Sequence, residues 1–155
     1  MAKSIFTYVT YIRTTQEELW SALTNAEIIT QWWLGTRCES QWTAGSSWRM
    51  VYPDGHVPDT GMIVEVEPPR RAVIRWEHQL IPEFVAEGPS YCTMELESNG
   101  TAVKFTITHS IDLERSKFIE AVSVAWPMVI SNLKSLLETG SVVLHSHWPN
   151  QSAQS

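Results

Sequence analysis

A succession of short strand patterns that ends in a single long helix pattern is the feature that most restricts the fold. Between residues 37 and 109, alternating apolar and polar residues are interrupted by turn signals such as "AGS", "PPR" and "NG". Strands joined by such short turns pair antiparallel in chain order. The sheet that results has one face to bury, and only the terminal helix offers an apolar surface large enough to cover it.

The strand patterns cover seven segments of the chain. They span residues 4–13, 37–43, 47–52, 60–67, 71–79, 90–98 and 101–109. Asn99-Gly100 lies between the last two and predicts a type I′ turn. Counting back from a turn at these two residues pairs Ser98 with Thr101 and places Cys92 opposite Ile107.

Two short helices are predicted between the first two strands. Thr15 and Glu18 have the spacing of a capping box at the start of the first. Asn25 is suited to cap the second, which is predicted to extend through Trp33 and to end at Gly35.

The last predicted helix spans about residues 114–139 and ends at Gly140. Its apolar face consists of Phe118, Val122, Trp126, Val129, Ile130, Leu133 and Leu137. Pro127 lies inside the pattern and is expected to kink the helix or divide it. The chain is therefore predicted to be one α+β domain over residues 1–140, with a polar C-terminal tail over 141–155. The element order is β-α-α-β6-α, a curved seven-stranded antiparallel sheet around the long helix.

Composition excludes several classes of function. The formal net charge is −6 over 155 residues, and a nucleic-acid surface needs clustered positive charge. Cys38 and Cys92 form no disulfide framework and fit a reducing compartment. No apolar run reaches the roughly 18 residues of a membrane span, and the N-terminus lacks the apolar core of a signal peptide. The expectation is a cytoplasmic protein that binds neither nucleic acid nor membrane.

Tryptophan is unusually frequent, with eight residues in the chain. Trp32 and Trp33 are adjacent, and neighbouring residues of a helix point about 100° apart. We therefore expect Trp33 to face an internal cavity and Trp32 to pack nearer the surface or a partner.

The chain contains three characteristic segments, which occur in the order "TTQEELWSALTNAEIITQWW", "GMIVEVEPPRRAVIRWEH" and "AWPMVISNLKSLLETG". They resemble the bacterial single-domain branch of the activator of heat-shock-protein ATPase homologue family, in the START/SRPBCC superfamily of helix-grip proteins. The resemblance covers approximately residues 5–140. It implies a birch-pollen-allergen-like sheet that grips the C-terminal helix, with a cavity between them. It implies no shared catalytic motif and no cofactor. Chaperone activators of the family carry a separate N-terminal domain that is absent here, so ATPase activation is not expected.

The alternation of the strands selects residues for the cavity face. Met62, Val64 and Val66 share one face of their strand, and Ala72, Ile74, Trp76 and His78 share one face of the next. The predicted ligand-binding residues are Trp33, Trp48, Met50, Tyr52, Met62, Trp76, His78, Cys92, Met94, Phe105, His109 and Trp126.

His78, Cys92 and His109 are predicted to point the same way near one end of three neighbouring strands. Imidazole and thiolate are zinc ligands, and a cysteine–histidine pair is also a nucleophile arrangement. No fourth ligand and no orienting carboxylate share the face, so these residues are expected to be polar groups of an apolar pocket, with no metal bound. His145 and His147 are expected to be exposed in the tail.

Three functions remain open from the sequence. The first is binding of a small apolar or aromatic molecule between the sheet and the last helix. The second is a cyclase-like or hydrolase-like enzyme in which His78 or His109 acts as a general acid or base. The third is an interaction module or chaperone cofactor. The apolar loop over residues 80–89 is expected to be either a lid over the cavity or an interface in a homodimer.

Overall fold

Seven strands and four helices make up the protein, as seen in a computed structural model that describes residues 3–145. The strands are β1 (Ser4–Ile12), β2 (Arg37–Ser40), β3 (Ser47–Val51), β4 (Asp59–Glu67), β5 (Arg71–His78), β6 (Ser90–Asn99) and β7 (Ala102–Ile111). The helices are α1 (Gln16–Thr24), α2 (Ala26–Trp32), α3 (Pro82–Val85) and α4 (Lys117–Thr139).

All seven strands form one antiparallel sheet in the order β1-β7-β6-β5-β4-β3-β2. Apolar side chains of one sheet face and of α4 form a single buried cluster. The predicted α+β helix-grip architecture is confirmed, and α3 is an added short helix inside the 80–89 loop. None of the helices within residues 3–145 has both the length and the apolar character that crossing a membrane requires.

Side-chain caps begin the first two helices, as predicted. The Thr15 hydroxyl accepts a hydrogen bond from the Glu18 amide (3.1 Å), but the Glu18 carboxylate binds the Thr14 hydroxyl instead of closing the box. Asn25 caps α2 through its side-chain oxygen. The helix ends at Trp32, one residue before the predicted end, because Leu34 and Gly35 both have positive φ angles.

A bulge at Val64 changes which residues of β4 face the core. Before the bulge Ile63 pairs with Ile74, and after it Glu65 pairs with Val73. One extra residue in a strand exchanges its two faces. The prediction that Met62 and Val64 face the cavity is therefore wrong: both are exposed on the outer face, and Ile63 is buried in their place.

The hairpin between β6 and β7 turns one residue later than predicted. Asn99 pairs with Ala102, which leaves Gly100 and Thr101 as the loop. Of these two central residues, Gly100 has a φ of +65° and Thr101 has no positive φ. A type I′ turn needs positive φ at both central positions and a type II′ turn only at the first, so the predicted type I′ turn is wrong and the angles agree with type II′. The register is corrected by two residues, so Cys92 pairs with His109 on the predicted face.

Helix α4 is continuous through Pro127, so the predicted division into two helices does not occur. It begins after Ser116, whose hydroxyl accepts from the Ile119 amide, and it ends at Gly140 with a φ of +86°. Of the predicted stripe, Phe118, Trp126, Val129, Ile130 and Leu133 are buried, and Val122 and Leu137 are partly buried.

Asn132 holds the chain that follows α4 against the domain. Its amide group is fully buried, and its side-chain oxygen accepts from the backbone amides of Val143 and Leu144. Its side-chain nitrogen donates to the carbonyls of Leu144 and Trp32. The first residues of the predicted tail are thus bound to the core. His145 is exposed, and His147 lies outside the described residues.

Candidate functional site

A cavity of about 180 Å³ lies between the sheet and α4. Its walls come from the end of α2 and the residues that follow it, the strands β3 to β5 with the β3–β4 loop, the segment around the short helix α3, and one face of α4. The residues that line it are Trp33, Thr36, Met50, Tyr52, Pro58, Asp59, Trp76, His78, Ile81, Phe84, Phe118, Ala121, Val122, Ala125, Trp126 and Val129. Most of these side chains are apolar or aromatic, and only a few polar groups interrupt the lining.

The polar part of the cavity lining contains a hydrogen-bonded pair of side chains, Asp59 and His78. These residues are direct partners across β4 and β5. Oδ1 of Asp59 lies 2.9 Å from Nδ1 of His78 and also accepts a hydrogen bond of 2.8 Å from Nε1 of Trp76. A carboxylate oxygen only accepts, so Nδ1 of His78 carries the proton. The carboxylate thus fixes the tautomer and the orientation of the imidazole ring.

Nε2 of His78 is buried and has no hydrogen-bond partner among residues 3–145. The side chain of His78 is only 10% exposed, and its ring packs against Phe84 and Phe118 on the cavity wall. Thr36 contributes the other buried side-chain atom without a partner among the described residues, its hydroxyl oxygen. Most buried polar atoms in proteins are hydrogen-bonded. Both exceptions line this one cavity.

Tyr52 completes the polar part of the lining. Burial, together with the negative charges of Asp59 and Asp54, raises the pKa of Tyr52 to about 12. Its phenol therefore keeps its proton at neutral pH and can donate a hydrogen bond or accept one.

His109 does not face the cavity and is fully engaged in a buried network. Nε1 of Trp126 donates to Nδ1 of His109 over 3.1 Å, and Nε2 of His109 lies 2.9 Å from the hydroxyl of Ser90. Because an indole nitrogen only donates, Nδ1 of His109 is the acceptor and Nε2 carries the proton. Complete burial lowers the pKa of His109 to about 3. The ring is neutral and structural, so we exclude His109 from the acid–base candidates.

His78, Cys92 and His109 lie on one face of the sheet, as predicted, but the three side chains do not come together in one cluster. Cys92 pairs with His109 across β6 and β7, but on β5 its partner is Ile74, four residues from His78. Four strand residues correspond to about 13 Å. Complete burial raises the pKa of the Cys92 thiol, which suits neither a metal ligand nor a nucleophile. Within residues 3–145, no three His, Cys, Asp or Glu side chains are grouped closely enough to hold a metal ion.

The other predicted site residues fall into three groups. Trp33, Met50, Tyr52, Trp76, His78 and Trp126 line the main cavity. Trp48 and Met94 line a second, deeper void of about 20 Å³, which is large enough for a single water molecule. Phe105, like Cys92 and His109, is completely buried and lines neither space.

Of the two adjacent tryptophans, only Trp33 lies where it was predicted. The ring centroids of Trp33 and Trp126 are 5.2 Å apart, and both rings line the cavity. Trp32 is almost completely buried, and its Nε1 donates to the carbonyl of Ala22. The expectation that Trp32 packs near the surface is therefore wrong, because the α1–α2 corner closes over it.

Part of the 80–89 loop covers the cavity. Ile81 and Phe84 line it, whereas Leu80 and Val85 are exposed. Glu87 attaches the loop to the start of α4, since its carboxylate accepts from the Ser116 hydroxyl and from the Lys117 amide. The loop thus forms a wall of the cavity, as the lid hypothesis requires.

Sequence reasoning missed Asp59, Thr36 and the small residues of α4. Without a bulge, the turn after Glu67 aligns His78 with Thr60, and only the bulge at Val64 brings Asp59 opposite His78. Ala121 lies three residues after Phe118, and Ala125 lies four residues after Ala121, so helical spacing places both on the side of α4 that Phe118 occupies. Their small side chains mark the part of the helix that leaves space. No local signal identifies Thr36.

Comparisons with known proteins agree with this architecture. The family model described as activator of Hsp90 ATPase homolog 1-like protein matches residues 13–138. No curated protein matches the chain with significance.

Solved structures with the same fold share little sequence with this chain. The crystal structure of CalU16 from Micromonospora echinospora is 20% identical over 88% of this chain and 77% of that one, with a TM-score of 0.70. The solution structure of the Aha1 dimer from Colwellia psychrerythraea is 18% identical over 88% and 98% of the two chains, with a TM-score of 0.73. PFC0360w, an HSP90 activator from Plasmodium falciparum, is 21% identical over 86% and 95%, with a TM-score of 0.70.

At these identities the structures support the fold alone. The family model, in contrast, covers most of the domain, from the end of β1 to the last turn of α4. The chain therefore belongs to the family of activator of Hsp90 ATPase homolog 1-like proteins.

Proposed function

We propose that this protein binds a small apolar or aromatic molecule in the cavity between the sheet and α4. The observation that carries the proposal is a space of about 180 Å³ lined by the rings of Trp33, Trp76, Phe84, Phe118 and Trp126. Aromatic walls with a few placed polar groups are typical of small-molecule sites.

The volume restricts the size of the ligand. Pockets for drug-sized molecules have volumes of about 300–1,000 Å³, whereas an apolar cavity of about 150 Å³ holds benzene. At about 180 Å³, this cavity suits a single ring with one or two small substituents. A larger ligand requires Phe84 and the rest of α3 to move outward.

Filling the cavity from α4 tests the proposal. Ala125 lines the cavity, so the side chain introduced by Ala125→Leu occupies the space that a ring needs. With toluene as the probe, we expect isothermal titration calorimetry to show binding to the wild type and a loss of roughly tenfold or more in affinity in the variant.

Val124→Leu is the matched control, because Val124 is the neighbouring residue and is 67% exposed on the same helix. The control is expected to bind toluene like the wild type. Equal toluene binding by all three proteins contradicts the proposed cavity site, and so does a wild type that binds neither toluene nor phenol.

Acid–base catalysis in the same cavity is a second candidate function, favoured by the orientation of His78 by Asp59. A base held this way can take an α-proton from a cyclic ketone at Nε2, which leaves the electron pair of the C–H bond in an enolate. The proton on Nε2 then exchanges with heavy water, and the ring returns a deuteron to the same carbon and regains its free Nε2. Cyclopentanone is a probe of suitable size. If the protein has this activity, NMR will show α-proton exchange above the buffer rate, which His78→Phe lowers to roughly 1% of the wild-type enhancement. Exchange at the buffer rate in the wild type counts against catalysis of this kind.

A further inference from the structure

We infer that the cavity selects a ring that carries a hydroxyl group, and that Nε2 of His78 accepts the hydrogen bond from this hydroxyl. This inference rests on the proposed function and names the chemical class of the ligand: a phenol or another small cyclic alcohol or enol. The Asp59–His78 pair and the two buried polar atoms without partners carry it.

The proton positions follow from the partners of the imidazole ring. Asp59 occupies Nδ1 through a contact of 2.9 Å, so the neutral form of the ring is the tautomer that presents the lone pair of Nε2. Nε2 has no partner within the described part of the chain, although His78 is nine-tenths buried. Its ring is surrounded by Phe84 and Phe118, whose aromatic edges offer no conventional donor. The free acceptor therefore lies in an apolar wall of the cavity.

A ring without a donor leaves this acceptor unpaired. Toluene displaces any water from the cavity and provides no replacement for its hydrogen bond, whereas the hydroxyl of phenol does. Phenol and toluene have nearly the same shape, so the difference in their affinities measures the hydrogen bond. A site with a buried acceptor discriminates against a ligand that leaves the acceptor unpaired.

His109 offers an internal comparison. It is a buried histidine on the same sheet face, but both of its ring nitrogens are engaged, by Trp126 and Ser90. Within residues 3–145, the fold thus provides partners for both ring nitrogens of His109 and leaves Nε2 of His78, which lines the cavity, without one. This difference favours a ligand partner for His78.

Calorimetry with phenol and toluene at pH 8, where phenol keeps its proton, tests the inference. We expect the wild type to bind phenol about tenfold more tightly than toluene. His78→Phe keeps an aromatic ring between Phe84 and Phe118 and removes the acceptor. In this variant the ratio of the two affinities is expected to fall to about one or below, while toluene binding is kept.

The matched control is His56→Phe. His56 and Asp54 form a similar pair, with 3.0 Å between Nδ1 and Oδ2, but the pair is exposed in the β3–β4 loop. The phenol preference of this control is expected to equal that of the wild type. Thr36→Val removes the other unpaired atom. If the preference persists in His78→Phe and disappears in Thr36→Val, the assignment to His78 is overturned.

A measurement on the wild type decides the question if His78→Phe does not fold. In protein labelled with ¹⁵N-histidine, the Nε2 resonance of His78 is expected to report an unprotonated nitrogen and to shift when phenol is added, but much less with toluene. A protonated Nε2, or a resonance that phenol leaves unchanged, overturns the inference.

The failure of this inference is distinguishable from the failure of the proposed function. Equal binding of phenol and toluene by the wild type overturns the hydroxyl selection and leaves the cavity site intact. Binding of neither probe contradicts the cavity site itself, and the selection with it.

Discussion

Gly61→Ala is expected to lower the free energy of unfolding by about 3 kcal/mol or more. A Cβ atom at this position lies 1.9 Å from the carbonyl oxygen of Arg75 and 3.0 Å from its carbonyl carbon. Both atoms belong to the backbone of the neighbouring strand, so no side-chain rotation relieves the clash. The substitution therefore forces β4 and β5 apart in the middle of the sheet.

The same glycine lies between the two tryptophans that contact each other beside the cavity. Gly61 pairs with Trp48 on one side and with Trp76 on the other. The backbones of Trp48 and Trp76 lie two strand spacings apart, about 10 Å across the sheet. Their ring centroids are nevertheless only 4.4 Å from each other. The two rings meet over the strand that contains Gly61, so a displacement of β4 from β5 disturbs this contact and the cavity wall that Trp76 forms. We therefore expect Gly61→Ala to weaken toluene binding as well as stability.

Urea unfolding, followed by circular dichroism, measures the stability effect. Gly55→Ala is a suitable control, because Gly55 has a φ of +94° but no atom within 4 Å of its Cβ position. Backbone strain alone is expected to cost about 1 kcal/mol there. A loss in Gly61→Ala no larger than the loss in this control contradicts the predicted backbone clash.

The stability of the protein is expected to fall as the pH decreases from 6.5, because of His109. Burial lowers the pKa of His109 in the folded protein from 6.5 to about 3. Between these values the unfolded chain holds one more proton than the folded protein, so protonation favours unfolding. The contribution of His109 approaches roughly 1.4 kcal/mol for each pH unit in this window and vanishes above the unfolded pKa.

His109→Gln removes the titration and keeps both a donor and an acceptor for Ser90 and Trp126. Its free energy of unfolding is expected to depend less on pH than that of the wild type between pH 6.5 and 5. Glu39, Glu67 and Glu138 do not contribute in this window, since their pKa values are lowered in the folded protein and their effect on stability falls at more acidic pH. His56→Gln, at the exposed histidine, is expected to keep the wild-type slope. If His109→Gln also keeps the full slope, then another group causes the pH dependence.

The architecture was largely predictable because it depends on local patterns. Alternation gave the strands, the capping residues Thr15 and Asn25 gave the helix starts, and the stripe through Trp126 gave the buried face of α4. The errors lie where one residue changes a register. The bulge at Val64 moved Met62 to the outer face, and the turn at Gly100–Thr101 changed the partner of Cys92. Such shifts depend on cross-strand pairing, which a single strand pattern does not contain.

The sequence by itself determined the order of the elements, the antiparallel sheet, the long helix that covers it and a lining rich in tryptophan. Periodicity of 2 and of 3.6 residues is a property of each segment, so these features are visible before folding. Only the tertiary structure decided which polar groups share the cavity. Asp59 and His78 are separated by 19 positions and meet because of a bulge and a turn, whereas His109 is withdrawn into a network with Trp126 and Ser90. The physical reason is that a free hydrogen-bond acceptor results from all the neighbours of an atom, and those neighbours come from strands and helices far apart in the chain.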